Sequence, residues 1–150
     1  MNMKKQAGFT LIELTVAFVV LIVLAVFFVI QRGDIEAATR DQTRKIAINA
    51  MYYSLTEGFY KQNGYYPDTI SRDVLTTVDP ALFTDPNGFT LHDNYCTYTS
   101  WFDDEQETDG DCDYKYVASD CNEESQCKKF VLTADMETEK LYRKESPVAD

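Results

Sequence analysis

The chain has 150 residues, 45% of them hydrophobic, with 14 Lys plus Arg against 25 Asp plus Glu. That is one ordinary domain's worth of sequence, too short for a two-domain enzyme. A net charge of −11 makes the surface repel phosphate backbones, whose non-specific binding depends on Lys and Arg, so no direct nucleic-acid binding is expected. The charge is unevenly placed. Residues 1–33 hold one acid, Glu13, and three bases, whereas residues 34–150 hold 24 acids and 11 bases, a net −13. The sequence reads as an apolar shaft joined to an acidic head.

Phe9 to Ile30 is a 22-residue run whose polar members are Thr10, Glu13 and Thr15. As a helix it would be ~33 Å long, enough to cross the hydrocarbon of a bilayer. Lys4 and Lys5 before it favour a cytoplasmic start, although Arg32, Arg40, Arg44 and Lys45 follow it, so charge alone gives little orientation. A secretory signal peptide has the same general form. The apolar run is too long for one, and Ile30-Gln31-Arg32-Gly33-Asp34 lacks a small-residue cleavage site. Glu13 is the sharper objection, because a charged side chain at mid-bilayer costs ~2.5 to 3.5 kcal/mol and a plain anchor has no use for it.

Lys4-Lys5-Gln6-Ala7-Gly8-Phe9-Thr10-Leu11-Ile12-Glu13 resembles the class III leader and cleavage motif of type IV prepilins and of type II secretion pseudopilins. The resemblance implies that a membrane-embedded prepilin peptidase cuts between Gly8 and Phe9 and methylates the new Phe9 amine. A glycine at Gly8 suits that step, since its missing side chain lets backbone approach a catalytic site closely. After cleavage an ammonium at Phe9 lies one helical turn from the Glu13 carboxylate. The expected assembly residues are Glu13, Phe9 and Thr10, with Glu13 pairing the Phe9 amine of a neighbouring subunit and setting the register of packed helices. Local pairing of Glu13 with its own amine and helix dipole is the alternative.

Beyond Ile30 the helix turns amphipathic. Ile46, Ala50 and Tyr53 form one column and Ile48, Tyr52, Leu55 and Phe59 an adjacent one, with Arg40, Asp41, Arg44, Lys45 and Glu57 outside them. That stripe is expected to seat the helix on a sheet. Asn63-Gly64 with Pro67 close behind predicts the helix end and a left-handed cap. Phe9 to Asn63 as one helix would be ~80 Å long. Many type IV pilins carry a Gly and a Pro inside the apolar half, but Leu14 to Ile30 has neither; Gly33 reads as a tolerated helical glycine.

Gly64-Tyr65-Tyr66-Pro67 resembles the turn that follows the long helix of pilins and major pseudopilins, and Thr84-Asp85-Pro86-Asn87-Gly88 resembles their turn before the first strand. Three strands are predicted, Phe89 to Thr99, Tyr114 to Ala118 and Lys129 to Ala134, all dominated by β-branched or aromatic residues. The last one, with Asp135-Met136-Glu137 after it, resembles the closing strand of many bacterial pilins.

All four cysteines, Cys96, Cys112, Cys121 and Cys127, lie in the last third of the chain. An even count after a membrane-type segment points to disulfides in an oxidising compartment, and the spacings contain no paired zinc knuckles. Three connectivities are open. Cys96 with Cys112 and Cys121 with Cys127 is preferred, because sequence-near pairs demand no particular sheet order; Cys121 to Cys127 resembles the disulfide-bounded region of many pilins. Asp103 to Asp113 contains seven acids and no base, and Asp109, Asp111 and Asp113 alternate as oxygen donors to calcium would. Calcium-bound loops occur in related pseudopilins, but the spacing lacks the closing Glu of an EF-hand, so a solvated loop is the expected role and no cofactor is required. His92, the single histidine, has no nucleophile or metal-ligand motif beside it and is expected in a turn.

The expected fold is α+β: a long N-terminal helix packed on a small antiparallel β-sheet head, the pilin fold. Its parts are a leader (1–8), a transmembrane assembly helix (9–30), an amphipathic half (31–63) and a disulfide-bonded head (64–150). The expected function is that of a non-enzymatic pilus subunit, with a pseudopilin or a membrane-tethered minor pilin or adhesin as alternatives. The implied partners are further copies of the chain, the prepilin peptidase, a membrane assembly platform with its ATPase, and the cytoplasmic membrane. The implied location is single-pass membrane before assembly and extracellular filament after.

Overall fold

The computed structural model describes residues 10–93, 95–98, 106–108 and 112–147. The chain forms two compact units, Met1–Glu36 and Ala37–Asp150. The first contributes the upstream turns of helix α1, which runs Leu11–Tyr53 and passes through Gly33 without a break. Every described residue in this unit up to Ile35 is exposed, because the apolar side chains encircle the helix and leave no polar face to turn outward.

In the second unit the helical turns from Ala37 onward meet two small antiparallel sheets. A six-residue π-helical segment, Ser54–Phe59, follows α1, and α2, Tyr60–Asn63, closes the helix. The wider turn re-phases the chain. Leu55 and Thr56 remain buried, while the rings of Phe59 and Tyr60 reach Tyr65 and Tyr66 at centroid distances of 5.7 and 4.6 Å. Gly64 ends the helix as expected: at φ 80° it is left-handed, and its N–H donates to the Tyr60 carbonyl at 2.7 Å.

The larger sheet contains β1 (Tyr66–Pro67), β5 (Tyr114–Cys121), β6 (Gln126–Ala134) and β7 (Tyr142–Glu145), with β6 paired to the other three. The smaller sheet has the order β2 (Phe89–His92), β3 (Tyr95–Tyr98), β4 (Gln106–Thr108). Inward residues of β6, namely Phe130, Leu132 and Ala134, meet Ile48, Met51 and Leu55 of the helix in one core with Tyr114, Tyr66, Ile70, Leu75 and Phe83. Phe130 is its centre, with ring centroids 4.7 Å from Tyr66, 5.8 Å from Tyr116 and 6.0 Å from Tyr52. This is the expected α+β, pilin-like architecture.

Several local expectations are corrected. The run beginning at Phe89 is not one strand: Asp93 adopts φ 51°, His92 pairs with Tyr95, and β2 and β3 become a hairpin; Thr99 lies outside the described residues. Strands β1, β4 and β7 were not anticipated. On the helix, Ile48 and Leu55 are buried and Tyr52, Ala50 and Phe59 half-buried, but Ile46 and Tyr53 are each 60% exposed. The core instead takes Ala47 and Met51, and it also takes Asp41 and Arg44, both 1% exposed. Of the two columns, the one holding Ile48, Tyr52, Leu55 and Phe59 lies close to the inward face and the one holding Ile46, Ala50 and Tyr53 turns mostly away from it, because apolar periodicity alone gives the charged residues no inward role.

Candidate functional site

The first candidate site is the start of α1. Thr10 sits at the N-cap position, where its carbonyl accepts from the Glu13 and Leu14 amides at 3.1 and 3.2 Å and its hydroxyl from the Glu13 amide at 3.4 Å. Thr10 and Glu13 have the spacing of a capping box, in which a hydroxyl satisfies an orphan amide of the first turn. The Thr15 hydroxyl donates back to the Ile12 carbonyl at 2.9 Å, so this polar group is satisfied within its own helix. Glu13 is thereby the acidic side chain in the first turn of a helix whose large apolar residues from Leu11 to Ile30 are 49–83% exposed. The helix is long and apolar enough to cross a membrane. Gly8 and Phe9, the expected cleavage pair, lie outside the described residues.

The second site is one that helical periodicity concealed. Arg44 is buried at the centre of a carboxylate cluster. Its Nε donates to Asp85 Oδ2 at 2.6 Å, its Nη1 to Asp41 Oδ1 at 3.0 Å and to Glu137 Oε1 at 2.8 Å, and its Nη2 to Asp113 Oδ2 at 3.3 Å. Arg40 grips the same Glu137 through Nε at 2.7 Å and Nη2 at 2.5 Å. Asp41 accepts from the Glu137 amide at 2.9 Å and from the Thr138 amide and hydroxyl at 2.8 and 2.6 Å. Lys45 extends the contact to Glu139 at 2.7 Å. The segment after β6 is thus strapped to the helix between Arg40 and Lys45.

Electrostatics follow from this packing. Burial opposes the ionised form of Asp41, but the Thr138 hydroxyl, the two backbone amides and Arg44 outweigh it and hold its carboxyl well below the usual range. Arg40, against some burial and with help from Arg44, holds Glu137 down to about 2. Asp113 moves the other way: burial and the neighbouring Asp85 carboxylate raise it, with Asn87 and Arg44 opposing. The Tyr114 phenol is pushed up by burial and by Asp85. Asp85 also builds its own turn, accepting from the Asn87 amide at 2.6 Å and giving its carbonyl to the Gly88 amide at 2.8 Å. Gly88 is left-handed at φ 95°, with the Tyr98 ring 3.3 Å from where a Cβ would stand.

The remaining expected residues fall elsewhere. Cys96 is joined to Cys112 and Cys121 to Cys127, and no free cysteine remains among the described residues. The second bridge closes the β5–β6 turn, where Asn122 Oδ1 accepts from the Glu124 and Gln126 amides at 3.1 and 2.9 Å. Asp113, one of the three calcium candidates, is engaged by Arg44 and by Asn87 Nδ2 at 3.1 Å; Asp109 and Asp111 lie outside the described residues. His92 is not in a turn: it ends β2, half-exposed, with its Nδ1 3.2 Å from Asp93 Oδ2.

Residues 3–29 match the family model of the prokaryotic N-terminal methylation motif. Neither a curated protein nor a solved structure matches the chain. The motif covers the basic leader, the Gly8-Phe9 junction, Glu13 and nearly all of the apolar run. With that motif at the head of a long helix, and an α+β head of small antiparallel sheets, the chain is similar to the precursors of type IV pilins and pseudopilins.

Proposed function

We propose that the chain is the structural subunit of a type IV pilus-like filament. It enters the membrane as a precursor with Lys4 and Lys5 on the cytoplasmic side, is cut after Gly8, and is methylated at Phe9. The new amine then meets the Glu13 carboxylate of an adjacent copy, and residues 9–30 of many copies pack into a helical bundle. In lipid no hydrophobic force drives helices together, so close side-chain contact and the single polar pair supply association and axial register. The observation that carries this reading is Glu13 itself, an acidic group in the first turn of the helix and the single charge in its apolar run up to Ile30, within the methylation motif. Partners then comprise the peptidase, an assembly platform and its ATPase, and the acidic heads become the filament exterior.

Amino-terminal sequencing of sheared surface filaments tests the processing, with N-methylated Phe9 as the expected first residue. Glu13→Val is expected to leave membrane insertion intact and to abolish filaments in electron micrographs. Wild-type filaments from that variant overturn the register role, and filaments confined to the cell envelope move the chain to the pseudopilins.

A further inference from the structure

Beside the β5–β6 turn lies a cavity of about 550 Å³, lined by Tyr60, Tyr65, Asp120, Cys121, Cys127 and Lys128 among others. Both residues of the second bridge belong to its wall. Of the four cysteines Cys121 alone is exposed; Cys112 is half-buried, and Cys96 and Cys127 are buried at 1% and 0%. A thiol meeting the folded head therefore reaches a cysteine at Cys121 first.

The turn itself is under tension. Asp120 and Ser125 stand at φ 57° and 59°, left-handed conformations that a side chain makes costly. The bridge closes on this same turn, because Cys121 and Cys127 are direct partners on the ladder that it joins. Its loop is also short: the two cysteines are 6 residues apart, against 16 for Cys96 and Cys112. In the chain-entropy account a shorter loop restricts the unfolded chain less, so opening this bridge costs the fold less than opening the other. An exposed bridge on a strained turn is the kind that exchanges, whereas a buried one resists reduction.

We propose that Cys121–Cys127 is a thiol-exchange site whose partner is a protein dithiol. The partner's thiolate enters the cavity and bonds to Cys121 Sγ, and the Cys121–Cys127 bond breaks with its electron pair leaving on Cys127, which takes a proton from water. The partner's second thiolate then attacks the partner sulfur of that mixed disulfide. Cys121 departs as a thiolate and is protonated in turn, so the partner ends oxidised by two electrons and the bridge reduced by two. Cys127 is buried out of reach of a second thiol and is held opposite Cys121 by the ladder, so the reverse steps reclose the same pair. Cys127 also pairs with Tyr66 of β1, and the bridge thereby acts as a reversible clamp on the turn and β1 together. Cys96–Cys112, with its more buried cysteines, stays shut.

For the test, the full-length chain in detergent micelles is equilibrated with graded ratios of reduced to oxidised dithiothreitol, alkylated with N-ethylmaleimide and peptide-mapped by mass spectrometry. Cys121 and Cys127 are expected to be labelled together at a ratio about tenfold or more below the one that labels Cys96 and Cys112. Circular dichroism is expected to keep the folded signal across that interval. With glutathione as the single thiol, the trapped adduct is expected on Cys121. Labelling of Cys96 and Cys112 first or in step, an adduct on Cys127, or unfolding as the Cys121–Cys127 bridge opens overturns the proposal.

Discussion

Without the Arg44 guanidinium, Asp41, Asp85 and Asp113 would share a buried space with no cation beside them, and Glu137 would keep only Arg40. Removing one partner of a buried ion pair costs about 3 to 5 kcal/mol, because the survivors stay buried and charged. Arg44→Met is therefore expected to lose about that much in urea unfolding at pH 7, and to recover part of it as the pH approaches 4 and the orphaned carboxylates protonate. At Gly88 two effects combine: φ 95° is strained for any side chain, and a Cβ meets the Tyr98 ring at 3.3 Å. Gly88→Ala is expected to cost about 1 to 3 kcal/mol by the same measurement. The Asp-Pro-Asn-Gly turn was legible, since these residue types carry their turn geometry with them. The role of Arg44 was not. Its partners outside the helix lie 41, 69 and 93 residues downstream, and no local pattern encodes such a meeting.

The strap between Arg40 and Lys45 sets the acid response of the head. Asp41 and Glu137 have folded-state values below their unfolded ones, Glu137 at about 2, so between about 4.5 and 2 the unfolded chain binds protons that the native state has released. Their contribution is complete above the unfolded range and is lost as the pH falls through that window. Asp113, raised by burial and by Asp85, acts with the opposite sign just above its ordinary 3.8, where the native state keeps a proton the unfolded chain has lost. With Asp41, Glu137 and the surface Asp120, which Lys129 holds down, lowered against Asp113 raised, thermal unfolding followed from pH 7 to pH 2 is expected to show a level region near neutrality and a fall in midpoint below about pH 4. Glu137→Gln is expected to flatten that fall. The disulfides act through the unfolded chain: losing the Cys96–Cys112 bridge by double substitution to serine is expected to cost about 3 kcal/mol, from the loop its 16-residue separation closes. Periodicity located the helix, its Gly64 end and the core of β5 and β6. It missed the π-helical turn and the β2–β3 break, which depend on a re-phased backbone and one left-handed aspartate, Asp93.

Across the whole molecule, the apolar run and its motif were legible because the bilayer reduces side-chain chemistry to few alternatives, among which a lone carboxylate stands out. The head was legible only as a class of fold. The buried helix face joins the apolar Ala47, Ile48, Met51 and Leu55 to Asp41 and Arg44, whose partners lie in distant segments, and it leaves Ile46 and Tyr53 outside. The strap has a further consequence for how the chain matures. Asp41 is satisfied by residues 96 and 97 positions later, a contact of very long sequence separation whose loop must close before it stabilises anything. A chain threading outward from its amino terminus delivers Arg44 early and Glu137 late, so a nascent polypeptide halted in between holds a guanidinium with half its counter-ions missing. Chains truncated before Glu137 and Thr138 are thereby expected to lack a native head.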